Sequence, residues 1–144
     1  MKKRGFTLIE LLVVIAIITI LGGMVMGGAQ QARKRGAITK VKAQIATIET
    51  AISMYETDIG DYPGTDNKSL VLALKEDIGD PDWSGPYMKI KENELDDNGE
   101  YMDAWGSPFV YVNPGTHNDY SYDLYSLGPD GQGDGSGKDD ITNW

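Results

Sequence analysis

Two groups of residues in this chain could do chemistry. The first is the pair Phe6 and Glu10 in Lys2-Lys3-Arg4-Gly5-Phe6-Thr7-Leu8-Ile9-Glu10-Leu11-Leu12-Val13-Val14. Glu10 is the only ionisable side chain between Phe6 and Met26. A carboxylate at mid-bilayer costs about 2.5–3.5 kcal/mol, and less near the surface, so it needs a partner or a task. A cut between Gly5 and Phe6 would create a new amine on Phe6, about one helical turn from Glu10. Ammonium and carboxylate could then neutralise each other, within one chain or between neighbours.

The second group is Asp130, Asp134, Asp139 and Asp140, set among glycines in the segment Leu127–Trp144. Four carboxylates within eleven residues repel one another in a compact loop unless a cation holds them. Calcium accepts carboxylate and carbonyl oxygens in irregular geometry, and glycines let the backbone turn its carbonyls inward. On composition alone, a solvated flexible loop fits as well. Against it, Leu127, Ile141 and Trp144 bracket the segment and can dock both its ends. An EF-hand is excluded, because the twelfth position counted from Asp130 is Ile141, where a bidentate Glu belongs.

Other chemistry finds little footing. There is no cysteine, so there is no disulfide, thiolate zinc site or cysteine nucleophile. His117 is the one histidine, in a Pro-Gly-Asn loop without a nucleophile beside it. Asp96-Asp97 and Asp139-Asp140 read as solvated turn acids rather than a catalytic pair. A membrane-anchored hydrolase is therefore the weak alternative. Neither a phosphate-binding loop nor a dinucleotide fingerprint occurs.

The elements that carry these groups follow from patterning. Phe6 to Met26 as a helix would reach about 31 Å, the thickness of a hydrocarbon core. This start can be read in three ways. A secretory signal is too short for the run and lacks a small-residue cleavage site behind it. A plain anchor fits the length, with Lys2, Lys3 and Arg4 keeping the N-terminus in the cytoplasm and Arg33-Lys34-Arg35 weakening that vote. Processing at Gly5-Phe6 leaves the membrane helix on the mature protein. Beyond it, Ile38, Val41, Ile45, Ile48, Ile52 and Tyr55 form one apolar stripe, with Lys40, Lys42, Gln44, Thr47, Glu49 and Ser53 on a wet face. One helix from about Phe6 to Thr57 is predicted, closed by Gly60 and Pro63. Gly22-Gly23 and Gly27-Gly28 make a weak segment in it, read either as a hinge or as a close-packing surface.

After Pro63 the pattern gives a loop with a short helix over Ser69–Glu76. An aromatic turn at Trp83–Tyr87 closes over the core, and a tight turn follows at Asp96-Asp97-Asn98-Gly99. Short strands are predicted near Glu100–Met102, over Pro108–Val112 and over Tyr120–Ser126. The last alternates Tyr120, Tyr122, Leu124 and Ser126 against Ser121, Asp123 and Tyr125. The class is α+β, a long helix packed on a small antiparallel sheet. Charge is segregated: residues 1–42 hold eight Lys/Arg and one acid, and residues 43–144 hold five basic residues and 21 acids. A part that acidic is unsuited to nucleic acid.

Residues 3–14 resemble the class III signal of type IV pilins and type II secretion pseudopilins. The likeness extends through Trp83-Ser84-Gly85-Pro86-Tyr87, Ala104-Trp105-Gly106-Ser107-Pro108, Tyr122–Gly131 and Asp140-Ile141-Thr142-Asn143-Trp144, where the chain is similar to major pseudopilins. The resemblance implies that prepilin peptidase removes residues 1–5 between Gly5 and Phe6, that the Phe6 amine is methylated, and that Glu10 meets the Phe6 amine of a neighbouring subunit. It implies residues 6–28 as the transmembrane and assembly helix. Residues 29–144 become a periplasmic domain: helix to about 58, an αβ loop over 59–99, sheet and calcium loop over 100–144. It implies calcium (Ca2+) held by Asp130, Asp139, Asp140 and the Leu127 carbonyl, with Asp134 a lesser candidate.

The function implied is that of a structural subunit. It sits in the inner membrane with its N-terminus cytoplasmic, and polymerises into a periplasmic filament that exports folded proteins. Its partners are further copies of itself, minor pseudopilins, the inner-membrane assembly platform and prepilin peptidase. A true type IV pilin is the alternative, but those usually close a C-terminal loop with a disulfide. Ala104 stands where family members often carry proline.

Overall fold

The computed structural model describes residues 6–144, with the side chains of residues 25–28 outside the description. The leader and Gly5 therefore lie outside the described residues, as do the surroundings of Gly27 and Gly28. Helix α1 runs Leu8–Ile59, and the chain forms two compact units, one up to Gly36 and one from Ala37 to Trp144.

In the first unit the helix has no apolar partner among the described residues. Every described side chain from Phe6 to Met24 is exposed, including Ile9 at 70% and Leu12 at 56%. A helix that is apolar all round belongs in lipid or among other helices, and this one is long and apolar enough to cross a membrane. The hydroxyl of Thr19 is satisfied locally, donating to the Ile15 carbonyl at 2.6 Å. Gly22 and Gly23 have open space around them.

The second unit is built on the stripe. Val41, Ile45, Ile48, Ile52 and Tyr55 are buried, with Ile38 packed at the edge of the same core. The unit begins at Ala37 because Ile38 is the first helical residue to reach that core. Gly60 ends α1 in the left-handed region (φ 87°), its N–H donating to the Glu56 carbonyl. Helix α2 spans Asn67–Lys75, two residues earlier than its apolar run suggests. Asp66 caps it: its carboxylate accepts from the Ser69 N–H, while Ser69 Oγ accepts from the Asp66 N–H.

The sheet has three antiparallel strands in the order β1 (Val110–Val112), β2 (Asp123–Ser126), β3 (Ile141–Thr142). Tyr111 faces Leu124 across the first pair, and Ser126 faces Ile141 across the second. Leu124, Ile48, Ile52 and Leu74 are almost wholly buried, each burial contributing about 1.5–3 kcal/mol.

Three expectations need correction. The strand near Glu100–Met102 is reduced to single bridges, Leu95 with Tyr101 and Met102 with Pro108. The third strand comes instead from Ile141–Thr142, and Asn143 extends its pairing by exchanging bonds with Leu124. Gln44 is not simply on the wet face: it is half-buried and donates to the Tyr101 hydroxyl and the Met102 carbonyl. Asp123 is 1% exposed although alternation puts it on the solvent side, because the loop before it folds over its carboxylate.

Candidate functional site

The N-terminal site is a helix start. Thr7 and Glu10 form the reciprocal bonds of a capping box: Glu10 Oε2 accepts from the Thr7 N–H at 2.9 Å and its hydroxyl at 2.8 Å, and the Glu10 N–H reaches Thr7 Oγ1 at 3.4 Å. The Thr-x-x-Glu spacing carried this signal, and the expected pairing with Phe6 obscured it. In the chain with its leader attached, the Phe6 nitrogen is a peptide nitrogen without charge, so Thr7 is the partner at hand. Phe6 itself is 79% exposed.

The glycine-rich loop joins β2 to β3. It opens with a 3-10 turn over Gly128–Asp130. Gly128 sits at φ 68°, and a Cβ there would fall 2.3 Å from the Asp139 carbonyl oxygen, so only glycine lets the two ends of the loop meet. Asp140 organises the far side: its Oδ2 accepts from the N–H groups of Gly135 (3.0 Å) and Gly137 (2.8 Å). Its Oδ1 is buried without a hydrogen-bond partner.

The other predicted residues are placed differently. Asp130 is exposed, with Oδ1 on the Gln132 N–H at 2.9 Å. Asp134 is exposed and bonds both the hydroxyl and the N–H of Ser136, which hold its carboxyl below the usual range. Asp139 and Leu127 are half-buried. The fold brings Asp139 against Gly128 at the start of the loop, and Asp140 against Gly133, Gly135 and Gly137 further along it. Among the described residues, however, no three Asp, Glu or His side chains gather round one point.

Two buried carboxylates beside this loop escaped the sequence. Asp103 Oδ1 accepts from Trp105 (2.8 Å) and Ser107 (3.0 Å), and its Oδ2 accepts from Ser126 Oγ at 2.5 Å; that Oγ in turn accepts from the Gly128 N–H at 3.1 Å. Asp123 accepts the N–H groups of Thr116 (2.7 Å), His117 (2.9 Å) and Asn118 (3.0 Å), with the Thr116 hydroxyl at 2.9 Å and His117 Nδ1 at 3.3 Å. Burial works to raise the Asp123 carboxyl, but the bonds from His117, Asn118 and Thr116 outweigh it and hold the group far below the usual carboxylate range. The loop they fix carries Tyr120 at its tip, 99% exposed.

Comparison with known proteins covers the whole length. The family model for the type II secretion system, protein G, matches residues 25–144, and that for the prokaryotic N-terminal methylation motif matches residues 1–26. The chain is 40% identical to the type II secretion system core protein G of Escherichia coli (strain K12), over 99% of this chain and 92% of that one. It is 37% identical to the protein of the same name from Pseudomonas aeruginosa, over 99% and 96%. The crystal structure of the major pseudopilin from the type 2 secretion system of enterohaemorrhagic Escherichia coli superposes with a TM-score of 0.51 at 26% identity, covering 79% of this chain and 87% of that one. An exposed apolar helix headed by Thr7 and Glu10, a stripe-built α+β unit and these matches lead to one conclusion: the chain belongs to the type II secretion system protein G family.

Proposed function

We propose that this chain is a major pseudopilin, the structural subunit that polymerises into the periplasmic pseudopilus and drives export of folded proteins across the outer membrane. The observation that carries this reading is the apolar segment from Phe6 to Met24, exposed on all sides and headed by one carboxylate. It can rest in a bilayer or be covered by copies of itself, and polymerisation exchanges one surrounding for the other. Prepilin peptidase cuts between Gly5 and Phe6. Glu10 then leaves Thr7 for the Phe6 amine of a neighbour, which fixes the register of the packed helices. The N-terminus stays cytoplasmic, the unit from Ala37 lies in the periplasm, and minor pseudopilins and an inner-membrane platform take part in assembly.

Calcium belongs to the same proposal. The buried unpartnered Oδ1 of Asp140 is an oxygen in want of a cation or a donor. Asp140, Asp139 and Asp130, with the Leu127 carbonyl, would hold the ion, and Asp134 stands by as a further candidate. Bound calcium would supply positive charge to this acidic segment. The donor set suits a hard cation that takes carbonyl as well as carboxylate oxygen.

Assembly gives the test. Glu10→Ala should insert in the membrane at wild-type levels yet form no filaments when the assembly components are co-expressed. Electron microscopy of sheared fractions and cross-linking between copies read the outcome. Normal filaments from this variant would refute the pairing.

A further inference from the structure

Four contacts converge on Trp144, two residues past β3. Trp144 lies flat on His117, centroids 4.2 Å apart and planes 10° from parallel, and meets Tyr125 edge-on at 5.5 Å and 77°. A Cβ added at Gly135 would fall 2.7 Å from the indole ring, so the ring rests directly on the backbone of that buried glycine. The Thr142 hydroxyl donates to the Trp144 carbonyl at 2.8 Å and fixes the main chain beneath the ring.

These contacts form one chain of support. The Gly135 N–H caps Oδ2 of Asp140, whose Oδ1 is the buried oxygen without a partner. At the other end, the bonds to Asp123 immobilise His117, the ring on which the indole is stacked. The segment between is glycine at 131, 133, 135 and 137. Such a segment loses more conformational freedom on ordering than any other, and an external brace that orders it beforehand removes part of that loss from ligand binding.

We propose that Trp144 is a positioning residue for the cation loop: braced by His117 and Tyr125, its indole holds Gly135 in place so that Asp140 presents its free oxygen. This rests on the calcium reading above. Docking of the indole and binding of calcium are then two sides of one equilibrium, and linkage requires each to favour the other by the same factor. The indole has no oxygen to offer a hard cation, so it acts through Gly135 and not as a ligand.

The test uses the full-length chain in detergent micelles, with calcium chloride as the only ligand. Calorimetric titration of wild type, Trp144→Ala, His117→Ala and the double variant measures affinity, and melting in chelator measures the fold without calcium. Trp144→Ala should bind calcium about 10-fold more weakly, a typical coupling. His117→Ala should weaken it less, and the double variant should be no weaker than Trp144→Ala alone, because His117 acts through the indole. Acrylamide quenching, taken as the difference between wild type and Trp144→Phe, should show Trp144 better shielded when calcium is added. Wild-type affinity in a folded Trp144→Ala chain overturns the inference and leaves the calcium reading intact. Should Trp144→Ala fail to fold in chelator, quenching in the intact wild-type chain decides, and shielding unchanged by calcium overturns the proposal. A wild-type chain that takes up no calcium overturns both.

Discussion

Asp123 shows how a single carboxylate can close a loop. Its two oxygens take three backbone N–H groups of the loop between β1 and β2, and burial of the carboxylate without those bonds would be prohibitive. Because the folded state holds its carboxyl below the unfolded value, the stabilisation is complete above the unfolded pKa of about 3.9 and is lost as pH falls from there toward the folded value. Asp58, Asp66, Asp96 and Asp134 are held low by hydrogen bonds in the same direction. Denaturant titrations should therefore show stability falling as pH drops below about 4. Asp123→Asn should be less stable than wild type at neutral pH and should lose less on acidification. An unchanged acid slope in that variant would remove Asp123 from the account.

Among the elements, Asn67 does the most with one side chain. At the first turn of α2 it donates to the carbonyls of Tyr101 (3.1 Å) and Phe109 (2.6 Å) and accepts from the Tyr101 N–H (2.9 Å). A carboxylate of the same shape could not donate to those carbonyls. Asn67→Ala strands a buried N–H and should cost about 1–3 kcal/mol in chemical denaturation, and Asn67→Asp should cost at least as much. The α1 stripe was legible because a period of 3.6 repeats over six positions. The Asp66 cap went unread, because the apolar run placed the helix start at Ser69, although Asp is a residue of capping type. Strand β3 was not legible: two residues have no period, and only the edge of β2 makes them a strand. Asp123 and Gln44 read as surface, and Asn67 carried no signal, because the groups that hold them, most of them backbone, come from other parts of the chain, which a local pattern does not display.

At the scale of the molecule, the two units ask for different surroundings. The apolar run from Phe6 to Met24 needs an apolar environment, whereas the unit from Ala37 carries its own core and nearly all the acids. In that unit the glycine-rich loop is the hairpin connection that delivers β3 to β2, so whatever orders the loop also holds the sheet's edge. Calcium should accordingly raise the melting temperature of the whole unit over that in chelator, since a ligand bound only by the folded state stabilises it by mass action. Asp130→Ala combined with Asp140→Ala should abolish the difference, as read by differential scanning calorimetry. Identical melting of wild type in calcium and in chelator would count against a bound ion.

Of the eight tyrosines, seven are buried or half-buried, and Tyr120 alone stands wholly in solvent on a loop whose backbone is pinned from below. That asymmetry makes the phenol a built-in footprinting probe. Mild nitration or iodination would mark free subunits at one defined place, and fading of the mark along a growing fibre would report which flank of the head a neighbour covers, with no label engineered into the chain.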